Sequence, residues 1–174
     1  VKLSDTFPVQ SSATLSGYTL QNANGESCGG TLLNAFAVSC NSVFAPLGAK
    51  LGGRRLVSIA ERFGFNQPSS IPGAAESTIP SARTIGDDLA VGSSAIGQGM
   101  VQTTALEMAD VGATIAMGGR RPIPTLQAGA TPRFVRVTSG RVAHLVQQMM
   151  VAVVAFGTGT SAAIPGVQVA GKTG

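Results

Sequence analysis

The chain is short of charge, of aromatic residues and of long apolar runs. Only 11% of its 174 residues are charged, against about 25% in average soluble domains. Because 44% are hydrophobic, the chain can bury enough surface to fold and is not disordered. Trp is absent and Tyr18 is the only tyrosine, which is poor material for stacking nucleic-acid bases. The longest apolar run, Met149 to Phe156, is far shorter than the roughly 20 residues of a membrane-spanning helix.

The charge that is present does not form a basic face. The net charge of +4 arises from 12 cations against 8 anions, and the cations occur singly or in pairs along the chain. A nucleic-acid partner would require them to cluster. We therefore expect a solvated surface and no nucleic-acid partner.

The cysteine and histidine content speaks against a metal site. Cys28 and Cys40 are the only cysteines and His144 is the only histidine, so no zinc-like spacing exists and no metal or cofactor is expected. A disulfide is possible in an oxidising compartment. If residues 31–41 are helical, however, a rise of about 1.5 Å per residue separates the two Cα atoms beyond the roughly 7 Å that a disulfide spans. The sequence therefore favours two free or buried thiols.

The spacing of apolar residues, together with capping and turn residues, predicts several helices, two loops and two strands. Turn residues predict a loop over residues 1–30, and Pro, Ser and Gly predict another over 66–92. Apolar spacing and helix signals predict the following helices: Thr31 to about Asn41, Ser42–Leu51, Arg54–Phe63, one opening at the capping box Thr104-x-x-Glu107, and Ser139 to about Phe156. Residues that alternate with a period of two predict strands over 133–137 and 167–174. A terminal strand with two unpaired edges must pair with further chain or with another copy.

Two short motifs carry the candidate chemistry. Ser39-Cys40-Asn41 is an S-x-N triplet at a helix end, and Lys172-Thr173-Gly174 is a K-T-G triplet in the predicted terminal strand. Each is weak alone, but their order and their separation of about 130 residues follow the pattern of serine penicillin-recognising enzymes.

The stretches around and between the motifs resemble the transpeptidase domain of penicillin-binding proteins, particularly the monofunctional kind. They are SCNSVFAPLGAKLG at 39–52, FGF at 63–65, SSAIGQGMVQTTALEMADVGATIAMGG at 93–119, GTGT at 157–160 and VAGKTG at 169–174. The resemblance covers nearly the whole chain. It implies an α/β, β-lactamase/transpeptidase-like fold with an antiparallel five-stranded sheet and a helical lobe. Residues 1–174 would supply mainly the helical lobe and the K-T-G strand, as part of one transpeptidase domain.

The resemblance also implies a role for each motif residue. Ser39 would relay a proton toward the leaving amine, and the Asn41 amide would donate to a substrate carbonyl and accept from a catalytic lysine. Lys172 would support the proton relay and attract the substrate carboxylate. Thr173 would hydrogen-bond that carboxylate, and Gly174 would let the substrate backbone lie against the strand. The substrate would be a D-Ala-D-Ala stem peptide or a β-lactam.

One family motif is missing from the chain. The nucleophilic serine of the family lies in S-x-x-K, and no such tetrad occurs in residues 1–174. We expect the nucleophile outside this chain and no acylation by the chain alone. The resemblance places the parent protein outside the cytoplasmic membrane, on an N-terminal anchor preceding Val1.

The resemblance therefore predicts a peptidoglycan D,D-transpeptidase that is acylated by β-lactams. A serine β-lactamase shares the same triplets and differs by fast hydrolysis of the covalent adduct. A catalytically inactive β-lactam-sensing or interaction domain is the other alternative. Other cell-wall synthesis proteins are possible partners, and the exposed terminal strand could let two copies associate.

Overall fold

The structure is a computed structural model that describes residues 2–174. Across those residues the α-helices are α1 (Leu32–Ala37), α2 (Asn41–Leu51), α3 (Gly53–Phe63), α4 (Asp88–Ala95), α5 (Ala105–Ala116) and α6 (Gly140–Ala155). The strands are β1 (Thr6–Gln10), β2 (Ser12–Leu15), β3 (Tyr18–Gln21), β4 (Cys28–Thr31), β5 (Arg120–Pro122) and β6 (Phe134–Arg136). They form antiparallel pairs: β1 with β4, β2 with β3, and β5 with β6.

Most of the predicted helices are confirmed, and side-chain caps explain where they begin. Thr31 accepts from the Asn34 N–H at the start of α1, Thr104 from the Glu107 N–H at α5, and Ser139 from the Val142 N–H at α6. Each cap satisfies a backbone donor that has no partner within the helix. The predicted strand at 133–137 is also confirmed, as β6.

The predicted loop over residues 1–30 is wrong for the residues that the structure describes; residue 1 lies outside them. This segment forms β1 to β4. Leu15 pairs with Tyr18, so Ser16 and Gly17 make a two-residue hairpin loop, and both have positive φ (49° and 79°). This is the backbone of a type I′ hairpin turn. A serine is uncommon at such a position, and for that reason the hairpin signal was missed.

The other predicted loop, over 66–92, is correct up to the start of α4. Asp87 caps this helix by accepting the Ala90 N–H. The helix matters for the fold because α2 packs on α4, and α1 packs on α6. One buried cluster joins Val57, Ile79, Ile85 and Val91. A second, of Ala35, Cys40 and Val43, lies under the junction of α1 and α2.

The terminal strand predicted over 167–174 does not form within residues 2–174. Val167 makes only an isolated bridge to Ile164. The chain beyond it runs back to α6, where the Gly171 N–H donates to the Met150 carbonyl at 3.1 Å. Alternation indicated an extended chain, but a ladder also needs a neighbouring strand. Within the same residues, no helix combines the length and apolar character that crossing a bilayer requires.

Two glycines inside helices give a matched test of the packing between α2 and α4. A Cβ on Gly48 would collide with the Cβ of Ala95, whereas a Cβ on Gly112 in α5 would meet nothing within 4 Å. We expect Gly48→Ala to lower the free energy of unfolding by about 1–3 kcal/mol through overpacking. Gly112→Ala should raise it by about 0.5–1 kcal/mol because alanine is the better helix former. Urea unfolding measures both, and equal shifts for the two variants would contradict the packing described.

Candidate active site

Ser39 lies where α1 ends and the chain reverses into α2. Its φ is +57°, a left-handed conformation of the kind that commonly terminates helices. The reversal is held by the Cys40 N–H, which donates to the Ala35 carbonyl at 2.9 Å. A non-glycine residue in this region costs on the order of 1–3 kcal/mol and is over-represented at functional sites. The backbone thus presents the half-buried Ser39 side chain at a corner between two helices.

A disulfide joins Cys28 to Cys40, so the expectation of two free thiols is wrong. Their Cα atoms are 5.7 Å apart. The expectation treated residues 31–41 as one straight helix, but α1 stops at Ala37 and the chain folds back at Ser39. That reversal returns Cys40 to the start of α1, beside β4. The bond therefore anchors the residue between Ser39 and Asn41 to a strand.

A second anchor, which sequence reasoning missed, is Asn22. This side chain is only 6% exposed. Its Oδ1 accepts the Ser42 N–H at 2.7 Å, and its Nδ2 donates to the carbonyls of Gln10 and Glu26, both at 2.8 Å. Buried amides are normally fully hydrogen-bonded in this way. The sequence around Asn22 does not predict this role, because the partner of the side chain lies 20 residues away and leaves no local signal.

Lys172 reaches Ser39 across 133 residues of sequence. Its Nζ donates to Ser39 Oγ at 2.8 Å and to the Thr173 carbonyl at 2.8 Å. It also lies 5.8 Å from the centre of the Phe36 ring, within cation–π range. An ammonium group can only donate. Ser39 Oγ is therefore the acceptor in this bond, and its own hydrogen stays free to donate elsewhere.

The surroundings of the Lys172 amine change its acidity. The side chain as a whole is exposed, but its amine end lies against Ser39 and the Phe36 ring. Partial burial lowers the pKa of the Lys172 amine below the ordinary 10.5, because burial disfavours the charged form. A lysine with a lowered pKa gives up its proton more readily than an ordinary lysine.

The remaining motif residues make contacts of their own. Thr173 Oγ1 lies 2.6 Å from Thr158 Oγ1. Gly174 directly follows Thr173. The Asn41 amide donates to the Gln21 carbonyl on β3 at 3.2 Å. Of the sequence-predicted site residues, the structure brings Ser39, Lys172 and Thr173 together, while the contact it gives Asn41 is to β3.

A separate polar cavity of about 140 Å³ lies between α5, β5 and the loop after α3, and contains none of the motif residues. Glu107 Oε1 and Arg121 Nε are buried there without hydrogen-bond partners. Burial raises the pKa of the Glu107 and Asp110 carboxyls, partly offset by the Arg121 guanidinium. Across residues 2–174, no three His, Cys, Asp or Glu side chains are grouped as a metal ion would need.

The family is shown by a match to the penicillin binding protein transpeptidase domain, which covers residues 2–174. The chain belongs to this family, and its helices and strands adopt the α/β fold of the β-lactamase/transpeptidase type.

The chain is 38% identical to the peptidoglycan D,D-transpeptidase PbpA of Mycolicibacterium smegmatis, over 90% of this chain and 35% of the relative. It is 35% identical to PbpA of Mycobacterium tuberculosis, over 89% and 34%. Among solved structures, that of M. tuberculosis penicillin-binding protein A in an imipenem acyl-enzyme complex has a TM-score of 0.90 and 31% identity, covering 100% of this chain and 44% of that one. The chain thus spans about a third of the length of these PbpA relatives.

The lowered pKa of Lys172 is testable by competitive acetylation with acetic anhydride. Only the neutral amine reacts, so Lys172 should be labelled at a lower pH than a free N-acetyl-lysine amide standard, and mass spectrometry of its peptide gives the midpoint. Phe36→Ala should move the midpoint back toward 10.5, because water then reaches the amine. A midpoint at or above that of the standard would contradict the burial described.

Proposed function

We propose that the natural protein containing this chain is a peptidoglycan D,D-transpeptidase that cross-links the cell wall and is acylated by β-lactams. The observation that carries the proposal is the 2.8 Å contact between Lys172 and Ser39, which joins the K-T-G and S-x-N motifs of a chain in the transpeptidase family. Further support comes from the relatives named peptidoglycan D,D-transpeptidase and from similar structures that are β-lactam acyl-enzyme complexes.

Ser39 is proposed to relay a proton to the leaving amine. A serine nucleophile is weak until a base takes its proton, and the leaving amine departs only once it is protonated. Ser39 Oγ accepts from the Lys172 ammonium and keeps its own hydrogen available. Donation of that hydrogen to the leaving nitrogen, with replacement from Lys172, moves a proton without moving any heavy atom. The lowered pKa of the Lys172 amine favours this transfer.

Thr173 and Gly174 are proposed to bind the substrate beside Lys172. The carboxylate at the end of a D-Ala-D-Ala stem peptide, or of a β-lactam, accepts hydrogen bonds and carries a negative charge. The Thr173 hydroxyl and the Lys172 ammonium supply a donor and a cation for it. Gly174 has no side chain, so the substrate backbone can lie along the segment, as in peptide recognition by strand addition.

Asn41 is proposed to contact the substrate carbonyl and the catalytic lysine of the missing tetrad. Its amide carries both a donor and an acceptor, and it opens α2 immediately after the anchored Cys40. Its present partner is a single backbone carbonyl at 3.2 Å. A bound substrate can therefore take over one of its hydrogens by a small rotation of the side chain.

The acylated serine is proposed to lie outside residues 1–174, in an S-x-x-K tetrad that this chain lacks. Residues 1–174 would then be part of one transpeptidase domain, unable to form an acyl adduct alone. We place the protein on the extracytoplasmic side of the membrane, held there by an N-terminal anchor, where its stem-peptide substrate is found. The Cys28–Cys40 bond supports that side, because disulfides persist in oxidising compartments.

Intact-mass spectrometry of the full-length protein with penicillin G tests the proposed activity. We expect one covalent adduct that persists for hours, because a transpeptidase hydrolyses the β-lactam ester slowly. An adduct that disappears within seconds would indicate a serine β-lactamase. No adduct at all would indicate an inactive binding domain and overturn the proposal.

Ser39 offers a test of the site itself within the same assay. Ser39→Ala should lower the second-order acylation rate by about 100-fold, the usual scale for losing a group that transfers a proton. Ser58→Ala, a matched change at an exposed position on α3, should leave that rate unchanged. Equal rates for the two variants would remove Ser39 from the mechanism while leaving the activity in place.

A further inference from the structure

The Gly157–Thr158 segment after α6 touches both sides of the candidate site. A Cβ on Gly157 would collide with the Ala37 carbonyl at the end of α1, so only glycine allows this approach. The next residue continues the contact: the Thr158 N–H donates to the same carbonyl at 3.0 Å. Ala37 is fully buried and lies two residues before Ser39. The segment is therefore pressed against the helix end from which the S-x-N motif begins.

The Thr158 side chain reaches the other motif. Its Oγ1 lies 2.6 Å from Thr173 Oγ1 and 3.4 Å from the Ala37 carbonyl oxygen. Hydroxyl–hydroxyl bonds have a usual length of about 2.7–2.8 Å, and bonds near 3.5 Å are weak. The contact with Thr173 is thus the strong one. Through its backbone and its side chain, Thr158 links the end of α1 to the K-T-G segment.

Either hydroxyl can donate in the 2.6 Å contact between Thr158 and Thr173, and a bound carboxylate decides which of them does. Thr158 Oγ1 carries a single hydrogen. A carboxylate can only accept, so a Thr173 hydroxyl that is bonded to one spends its single hydrogen there. The Thr158 hydroxyl must then be the donor in the 2.6 Å contact with Thr173. When Thr158 donates to Thr173, the hydrogen of the Thr173 hydroxyl is displaced from that direction and is free to point into the cleft.

We propose that Thr158 is a positioning residue that holds the Thr173 hydroxyl as a donor to the substrate carboxylate. This inference rests on the proposed function and deepens it. Without Thr158, the Thr173 hydroxyl can turn its hydrogen in other directions, and binding must restrict that freedom. With Thr158 in place, the site presents a fixed donor beside the Lys172 cation. The arrangement selects a ligand that ends in a free carboxylate over one whose carboxyl is blocked.

The test compares three variants of the full-length protein with a penicillin and with the methyl ester of the same penicillin. Thr158→Val keeps the shape and loses the hydroxyl, and should lower the second-order acylation rate by the free acid about tenfold, the scale for losing an oriented bond to a charged group. Thr158→Ser restores the hydroxyl and should stay within about threefold of the wild type. Thr160→Val, a control at an exposed position two residues after Thr158, should leave the rate unchanged.

The methyl ester separates positioning of the donor from general damage. With the ester there is no carboxylate to receive the Thr173 hydrogen, so Thr158→Val and the wild type should be acylated at the same rate. A tenfold loss with both compounds would show that Thr158 merely supports the structure, and would overturn the inference. So would a Thr158→Val variant that keeps the wild-type rate with the free acid. A wild-type protein that forms no adduct would instead overturn the proposed function.

Discussion

The hydrogen bond from Lys172 to Ser39 is the interaction on which the site depends. Neither residue has a local reason to lie near the other, since 133 residues separate them. The Ser39 side is held by the helix reversal, by the Cys28–Cys40 bond and by Asn22. The Lys172 side is held by the contacts of Gly171 with Met150 and of Thr173 with Thr158. Helix α6 and the segment after it connect the two sides because α1 packs on α6.

Both partners occupy positions that cost stability. Ser39 has a left-handed backbone, and the amine of Lys172 is partly desolvated. Such costs persist only where the surrounding structure determines the conformation. Here a disulfide, a buried amide and a glycine that permits close approach, Gly157, supply that determination. The left-handed backbone places the half-buried Ser39 side chain at the corner between α1 and α2, and partial desolvation makes the Lys172 amine a better proton donor.

Sequence reasoning predicted the parts that depend on local signals. Caps such as Thr104 and Ser139 marked helices that form as expected. The two motifs identified Ser39, Lys172 and Thr173 as candidate residues of one site. It missed what depends on distant partners. Asn22 owes its role to a residue 20 positions away, and the disulfide depends on a chain reversal at Ser39 that no periodicity encodes. Alternation over 167–174 indicated an extended chain correctly but could not supply the neighbouring strand that a ladder needs.

The central claim is that Ser39 and Lys172 act as one unit. A double-mutant cycle on the full-length protein measures this directly, using the second-order rate of acylation by penicillin G for Ser39→Ala, Lys172→Met and the pair combined. If the two residues form one proton pathway, removing either abolishes it, so the double variant should be within about twofold of the slower single variant. If the two losses multiply instead, the residues act independently, and the 2.8 Å contact is not the basis of the site.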